Sequence, residues 1–351
     1  MSRRTADNEL NLIVGDGHTR ALTICPDHTA LWEAMALATR GGKRFRPALV
    51  SAVHDALGGS AHVAVAQVGA AVELLHTAFI VHDDVIDGDD IRRGQLNVSG
   101  TFRERARAAG VDSAGASIYA VTAGILAGDL AIAAAMRAVG GCEAPRDVVL
   151  KLLDLFDEAL HVTASGELAD VRLSLATTSS LADSLQMAEQ KTSAYSFSLP
   201  MHAGALLAGA ADDLCADLAA AGRQMGMAFQ LLDDLIGVFG DPDRTGKSAT
   251  SDLRTHKQTP LLAHAQTTPQ WPRIEGYTGR EISISELQEV RALLTTSGSR
   301  AFIEDLASSY LASARGAVQR LGLDEDIFAL ALPASGLLVP PTAPAPSESN
   351  A

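Results

Sequence analysis

The sequence predicts an all-α, single-domain fold of roughly ten helices. Apolar residues recur at three- and four-residue intervals through most of the chain, and period-two alternation is nearly absent. Alanine is abundant while aromatic residues make up only 4%, which favours helix over strand. No linker-like stretch separates the periodic segments, so a single helical domain explains the pattern best.

The helical patterns can be placed in order along the chain. They cover 63–81, 118–138, 147–175, 181–198, 202–239, 252–266, 285–296 and 300–321. Proline and glycine punctuate them, for example at Pro145, Pro200 and Asp241-Pro242. The stretch 267–284 carries Pro and Gly but little periodicity, and is the predicted long internal loop.

The two ends differ from the rest in composition. The tail at 333–351 is rich in Pro, Ala and Ser and lacks apolar periodicity, so we expect it to be disordered. We therefore expect a partly ordered N-terminal segment at 1–29 and a folded domain at 30–325.

Charge and cysteine content restrict the function. The net charge of -14 argues against binding nucleic acid or an anionic membrane surface, because both are polyanions. Cys25, Cys142 and Cys215 form no CxxC pair, which predicts reduced thiols and a cytoplasmic protein. The first residues carry two arginines but no apolar stretch of a secretory signal.

Two segments, 61–81 and 117–136, are apolar enough to resemble membrane spans. Glu73, His76 and Asp129 interrupt them, so buried core helices are the better interpretation. We expect no stable membrane insertion.

An aspartate cluster closes the first long apolar helix. Asp83 and Asp87 lie one turn apart in HDDVIDGDD and would project from one face with Asp84 beside them. Like charges at this spacing near a helix C-terminus destabilise the helix unless a cation compensates. Clustered carboxylates suit Mg²⁺, whereas a lone acidic run is more often a solvated loop.

Local cations accompany this cluster in an otherwise acidic protein. Arg92 and Arg93 follow it, and the turn GGKRFRP contributes Lys43 and Arg46. Such residues suit phosphate groups, or they neutralise the nearby acids. His76 lies two turns before Asp83, where it could bond a phosphate oxygen or serve as a core histidine.

A second aspartate pair occurs at Asp233 and Asp234, again at the end of an apolar helix. The TGK that follows at 245–247 lacks the spacing and preceding strand of a phosphate-binding loop. In the pattern 181–198, Lys191 and Thr192 form a polar group with Tyr195 and Ser196 inside an otherwise apolar run, and this group could equally be a surface-facing stripe.

Together these motifs resemble the trans-isoprenyl diphosphate synthases of the polyprenyl synthetase family, most closely bacterial geranylgeranyl and farnesyl diphosphate synthases. GGKRFRP, ELLHTAFIVHDDVIDGDDIRRG, KTSAYSF, FQLLDDLIGVFGD and TGK occur in the family's order, over roughly residues 30–325. The resemblance implies a helical bundle around a central cavity, of isoprenoid synthase type. It also implies condensation of isopentenyl diphosphate with dimethylallyl, geranyl or farnesyl diphosphate, with three Mg²⁺ ions and a homodimer.

Site residues carry over by motif. The residues implied to bind Mg²⁺ are Asp83, Asp84, Asp87, Asp233 and Asp234. Those implied to contact the allylic diphosphate or its cleavage site are Arg92, Lys191, Thr192, Gln230, Lys247 and Lys257. Those implied to hold isopentenyl diphosphate are Lys43, Arg46, His76 and Arg93.

Two departures from the family pattern affect these expectations. Many relatives carry a fifth-position aspartate in the second cluster, where this chain has Gly237 and places its next acid at Asp241. In GELAD, Glu167 replaces the glutamine of many relatives, so Glu167 and Asp170 are given a supporting role, with helix N-caps or core hydrogen bonds as alternatives.

Product length should depend on the residues below the first cluster. Phe79 lies one turn before Asp83 and would stop chain growth, while Ala78 leaves space, which predicts a C20 product with C15 next. Ordinary core packing of Phe79 is the alternative.

Two other functions remain open from the sequence. A class I terpene cyclase would ionise a diphosphate but would not need GGKRFRP and Arg93 for a second one. A silent partner subunit would normally have lost one aspartate cluster.

Overall fold

The computed structural model describes residues 5–176, 178–240 and 250–331, and the all-helical prediction is confirmed. Its helices are α1 Ala6–Leu22, α2 Pro26–Ala38, α3 Phe45–Ala56, α4 His62–Asp87, α5 Val98–Ala108, α6 Ser113–Gly140, α7 Arg146–Ser174, α8 Leu181–Ala188, a π-helix Glu189–Ser198, α9 Leu199–Leu207, α10 Asp212–Phe239, α11 Ser251–Arg254, α12 Pro260–Ala265, α13 Trp271–Glu275, α14 Ile284–Thr296, α15 Ser299–Arg320 and a 3₁₀-helix Glu325–Leu330. The predicted tail at 333–351 and Lys247 lie outside the described residues.

The described residues form two compact units. The first contains residues 5–159, 195–219 and 318–331, and the second contains 160–176, 178–194, 220–240 and 250–317. The expected boundaries at 1–29, 30–325 and 333–351 stay predictions. Each unit carries one of the two aspartate clusters, and each is described by itself below.

The core of the first unit is built on α4. This helix packs against α1, α3 and α6, and its small and branched residues are nearly all buried. It ends at Gly88, whose φ of 72° is the left-handed conformation that terminates many helices. Asp89 N–H then donates to the Asp84 carbonyl at 2.9 Å, which fixes the chain just after the aspartate cluster.

A two-stranded antiparallel ribbon follows α4, although the sequence showed almost no period-two pattern. Strand β1, Ile91–Arg92, pairs with β2, Gln95–Leu96. Arg93 and Gly94 between them both have positive φ, of 53° and 73°, as a type I′ turn requires. Two-residue strands are too short to produce periodicity, and the Arg-Gly pair is not a typical signal for this turn.

In the second unit the core gathers around the end of α10. Leu231, Leu235 and Val238 of α10 pack with Leu253 of α11 and Ile303 of α15, and all five are at most 1% exposed. Arg300 stacks on the Phe239 ring with its guanidinium carbon 4.6 Å from the ring centre. This cluster fixes the helix end that carries the second aspartate pair.

Pro200 separates two helices as predicted: the π-helix ends at Ser198, and Pro200 lies in the first turn of α9, where a missing N–H and a fixed φ are tolerated. Two other predicted boundaries were wrong. The pattern 202–239 is interrupted at 208–211, where Gly209 has a φ of 77°. The predicted loop 267–284 contains α13, which Ile274 anchors in the core.

Two of the described helices, α4 and α6, are long and apolar enough to cross a membrane by length and composition alone. The most apolar window of α4 is 72% buried inside the protein, as a core helix requires. That of α6 is only 39% buried, which leaves one face of α6 without cover within the chain.

Candidate active site

The first aspartate cluster lies on the last turn of α4, as predicted. Arg92 on β1 reaches back over it and donates from Nε to Asp84 Oδ1 at 2.7 Å and from Nη2 to Asp83 Oδ2 at 3.2 Å. Asp84 is 3% exposed, and burial raises its pKa to about 6 despite the hydrogen bond from Arg92. Asp87 one turn beyond is exposed.

The chemistry of this donor set fits Mg²⁺. Two of the three carboxylates, Asp83 and Asp84, accept hydrogen bonds from the Arg92 guanidinium, and all three lie within about one helical turn. The partial exposure of Asp83 and Asp87 leaves room for water and substrate oxygens, which Mg²⁺ keeps in its coordination shell.

Arg46 is a buried cation in the same unit. It is 8% exposed, and it donates to Ser196 Oγ from Nε at 3.1 Å and from Nη2 at 2.9 Å. Its guanidinium carbon lies 4.4 Å from the Phe45 ring centre and 5.2 Å from that of Tyr195. These described partners are all neutral, and no carboxylate among the described residues forms an ion pair with Arg46. A buried charge in this state is costly until an anion binds.

His76 adjoins this cation and is neutral at physiological pH. Its Nδ1 lies 3.2 Å from Tyr195 Oη, and the two rings stack with their centres 5.9 Å apart. Burial, followed by the positive charge of Arg46 and Arg93, lowers the pKa of His76 well below its usual 6.5. The structure therefore brings together three of the predicted isopentenyl diphosphate ligands.

Arg93 lies near His76, and its side chain packs closely against the turn at Gly41 and Gly42, where side chains would crowd it. Its guanidinium donates to the Arg40 carbonyl at 3.0 Å, and a Cβ on Gly41 or Gly42 would lie 3.2 or 3.3 Å from its nitrogens. Both glycines also have positive φ, near 80°, which other residues rarely adopt. Lys43, the fourth predicted ligand, is exposed in the same turn.

The neighbouring Arg44 forms ion pairs within the fold, which the sequence alone did not predict. It donates to Glu73 Oε1 at 2.5 Å and to Asp7 Oδ1 at 2.9 Å. The Glu73 side chain is 7% exposed, so Arg44 neutralises a buried carboxylate on α4.

Phe79 and Ala78, the two predicted chain-length residues, have different surroundings on α4. The Phe79 ring meets Tyr195 edge-on, with their centres 4.7 Å apart. Ala78 is fully buried in a cluster with Trp32, Met35 and Ala131, so its small side chain accommodates α2 and α6. The expectation that Ala78 leaves space for a growing chain stays a prediction.

In the second unit, Asp234 is buried on α10, next to the half-buried Asp233. Its Oδ1 accepts a hydrogen bond from Gln230 Nε2 at 2.8 Å, while its buried Oδ2 has no hydrogen-bond partner among the described residues. Burial, and next the nearby Asp252, raise the pKa of Asp234 well above its usual 3.8, while Lys257 opposes the shift. An orphaned carboxylate oxygen beside further acids fits a divalent cation.

Lys191 lies in the π-helix and is held by acids from α7. Its Nζ donates to Asp170 Oδ2 at 2.6 Å and lies 3.0 Å from Glu167 Oε2. Gly166 permits this approach, since a Cβ there would lie 2.3 Å from the Lys191 backbone nitrogen. Glu167 and Asp170 are therefore ion-pair partners of Lys191. Both lie in the interior of α7, so the alternative that they cap the N-terminus of a helix was wrong. Thr192 follows, half-buried in the same helix.

The alternative that this polar group forms a surface stripe was also wrong for its C-terminal part. Tyr195 is 8% exposed and Ser196 is fully buried, and the hydroxyl groups of both accept hydrogen bonds from Arg46 in the first unit. Sequence reasoning missed these two partners, since they lie 149 and 150 positions from Arg46 along the chain.

The described residues thus define a mainly helical protein with two aspartate clusters that fit divalent cations and a separate buried arginine that fits an anion. The sequence comparison is more specific: the polyprenyl synthetase family model matches residues 29–293. The chain belongs to the polyprenyl synthetase family.

Individual relatives agree with this assignment. The chain is 32% identical to a (2E,6E)-farnesyl diphosphate synthase of Mycobacterium tuberculosis over 292 residues, 81% of this chain and 75% of the relative. It is 34% identical to a geranylgeranyl diphosphate synthase of Sulfolobus acidocaldarius over 262 residues, 73% of each chain. Among solved structures, geranylgeranyl pyrophosphate synthase from Corynebacterium glutamicum, complexed with isoprenyl diphosphate and magnesium, matches with a TM-score of 0.84 at 26% identity, over 93% of this chain and 96% of that one.

Proposed function

We propose that this protein is a trans-prenyltransferase that condenses isopentenyl diphosphate with an allylic diphosphate and releases inorganic diphosphate. The observation that carries the proposal is the pairing, within one unit, of a carboxylate cluster that fits Mg²⁺ with a buried Arg46 whose described partners are neutral. The first suits a diphosphate bound through metal, and the second suits an anion bound directly. Two diphosphate substrates need both kinds of site.

We assign Mg²⁺ to Asp83, Asp84 and Asp87 for two ions and to Asp233 with Asp234 for a third. When bound, Mg²⁺ takes up charge on the diphosphate oxygens and thereby eases cleavage of the allylic C–O bond. Arg92 contributes a guanidinium already ordered by Asp83 and Asp84, so it needs little reorganisation to donate to the leaving group.

Further cations are proposed for the same leaving group. Lys191 is oriented by Glu167 and Asp170, and Lys257 lies near enough to Asp234 for its positive charge to oppose the rise of the Asp234 pKa. Thr192 and Gln230 are proposed to line the cleavage site. Lys247 lies outside the described residues, and we propose from the family motif that it contacts the same diphosphate.

Isopentenyl diphosphate is assigned to Arg46, Arg93, His76 and Lys43. His76 is neutral beside these cations, so it can donate one hydrogen bond without adding charge. The allylic C–O bond breaks, the double bond of isopentenyl diphosphate forms the new C–C bond, and a proton leaves to the released diphosphate. No protein nucleophile is required.

The product is proposed to be C20, with C15 next. The packing of the Phe79 ring edge-on against Tyr195, one turn before Asp83, supports Phe79 as the residue that stops chain growth. The primer would be dimethylallyl, geranyl or farnesyl diphosphate.

The experiment is incubation of the purified protein with Mg²⁺, labelled isopentenyl diphosphate and each of the C5, C10 and C15 allylic diphosphates. Chromatography of the dephosphorylated alcohols should show a C20 or C15 alcohol that disappears with EDTA. Release of a hydrocarbon without elongation would favour a class I terpene cyclase. No turnover would favour a silent subunit.

We also propose a cytoplasmic homodimer. The poorly covered face of α6 carries Ile118, Ile125 and Leu126, which are 69%, 45% and 48% exposed. Ile118 and Ile125 lie two turns apart on one face, as an interface helix requires. Sedimentation of the wild type and of Ile125→Asp should give a dimer and a monomer respectively.

A further inference from the structure

The second aspartate cluster lacks an acid at Gly237, and the structure shows what lies there. A Cβ built on Gly237 would be 2.5 Å from Asp252 Oδ2 and 3.4 Å from its Cγ. Real Cβ atoms do not approach an oxygen this closely, so the Asp252 carboxylate lies where a side chain of residue 237 would begin. It arrives from a different helix, α11.

The turn that delivers Asp252 is anchored on both sides. Leu253 is fully buried beside Leu231 and Leu235 of α10, and its carbonyl accepts from Gly279 N–H at 2.8 Å. The Asp252 carbonyl accepts from Lys257 N–H at 2.9 Å. Asp252 is therefore held over α10 by core packing and backbone hydrogen bonds.

The position suits a metal ligand. Asp233 and Gly237 are one turn apart on the half-exposed side of α10, so their Cβ positions are about 5–6 Å apart, as are those of Asp83 and Asp87. The Asp252 carboxylate, which lies at the Cβ position of Gly237, is therefore on the same side of α10 as Asp233. The buried Oδ2 of Asp234, which has no hydrogen-bond partner among the described residues, is an independent observation that fits a cation ligand.

We infer that Asp252 supplies the carboxylate that Gly237 lacks and, with Asp233 and Asp234, holds the third divalent cation. The inference rests on the proposed function, since it assigns a cation to this cluster. Gly237 is then required by the site: any side chain there would displace the Asp252 carboxylate.

The test counts bound Mn²⁺ by electron paramagnetic resonance, with inorganic diphosphate as the probe anion and the full-length protein. The wild type should hold three ions. Asp252→Ala should weaken binding of the third ion at least about tenfold. That is the lower end of the loss in metal affinity caused by substituting residues that only support a metal ligand. Asp305→Asn, an exposed acid on α15, should bind as the wild type does.

A substitution of Gly237 tests the position of the Asp252 carboxylate without removing its charge. Gly237→Ala should weaken the same ion while leaving thermal stability equal or higher, because alanine favours helix by about 1 kcal/mol. Gly15→Ala in α1, where a Cβ meets nothing within 4 Å, is the matched control and should change stability only.

The double variant Asp252→Ala with Gly237→Asp moves the carboxylate onto α10, into space that the first change vacates. It should recover the ion that Asp252→Ala loses. Three ions bound equally well by the wild type and Asp252→Ala, or fewer than three in the wild type, would overturn the inference.

The two proposals fail separately. Elongation by the wild type together with unaltered Mn²⁺ binding in Asp252→Ala would refute the role of Asp252 and leave the prenyltransferase standing. Absence of elongation with every primer would refute the prenyltransferase, whereas loss of one Mn²⁺ in Asp252→Ala would still support the cation site.

Discussion

Arg44 and Arg46 are two residues apart, yet the structure assigns them opposite tasks, which a pair of substitutions can separate. Arg46 is buried among Ser196, Tyr195 and Phe45, all neutral, whereas Arg44 neutralises the buried Glu73. Arg46→Met should therefore impair substrate binding with little effect on stability. Arg44→Met should do the reverse.

The magnitudes follow from these partners. Hydrogen bonds to a charged group are worth about 1.5–3 kcal/mol, so losing the Arg46 contact to a diphosphate should raise KM for isopentenyl diphosphate about 10- to 150-fold. Methionine removes a buried charge but leaves the Ser196 hydroxyl without its guanidinium, so the unfolding free energy should change by no more than about 1 kcal/mol. Arg44→Met leaves the buried Glu73 carboxylate without its arginine partner and should lower the free energy of unfolding by up to about 3 kcal/mol.

The assay is steady-state turnover with each substrate varied in turn, together with urea denaturation of both variants. For Arg46→Met, KM for the allylic diphosphate should stay near the wild-type value, and kcat at saturating isopentenyl diphosphate should change little. A marked loss of stability in Arg46→Met with an unchanged KM would refute the reasoning, since Arg46 would then serve the fold through Ser196.

Three further predictions concern single residues. Phe79→Ala should lengthen the products by five carbons or more, because it removes the ring below Asp83; an unchanged alcohol spectrum would dismiss Phe79 as the barrier. Asp83→Ala should lower kcat about 1000-fold, since a lost metal contact costs several kcal/mol, while circular dichroism stays unchanged. His76 is neutral when folded because burial and the nearby arginines lower its pKa, whereas the unfolded chain binds a proton below pH 6.5. Stability should thus fall on acidification below pH 6.5, by up to about 1.4 kcal/mol per pH unit, and His76→Gln should flatten this slope in urea titrations; a slope equal to the wild type's would contradict it.

The sequence predicted well what depends on neighbours along one helix. The spacing of Asp83 and Asp87 and the apolar pattern before them are local, so the carboxylate cluster and α4 could both be read from a few turns. The same holds for the pair Asp233 and Asp234 at the end of α10.

Contacts between distant segments could not be predicted in this way. Lys191 meets Glu167 and Asp170, which lie 24 and 21 positions before it, and nothing in the local pattern distinguishes an ion pair from a capping role. Arg46 meets Ser196 across 150 positions. Charge-bearing motifs therefore indicated the chemistry, whereas their partners emerged only from the packing of helices.

Glycines show where this limit matters most for function. Gly166 admits Lys191, and Gly226 approaches Ser193 so closely that a Cβ would lie 2.7 Å from its Cα. Gly237 looks like a lost ligand when α10 is considered alone. In three dimensions its missing side chain is the condition for Asp252 to reach the cluster, so the departure from the family pattern relocates a carboxylate instead of removing one.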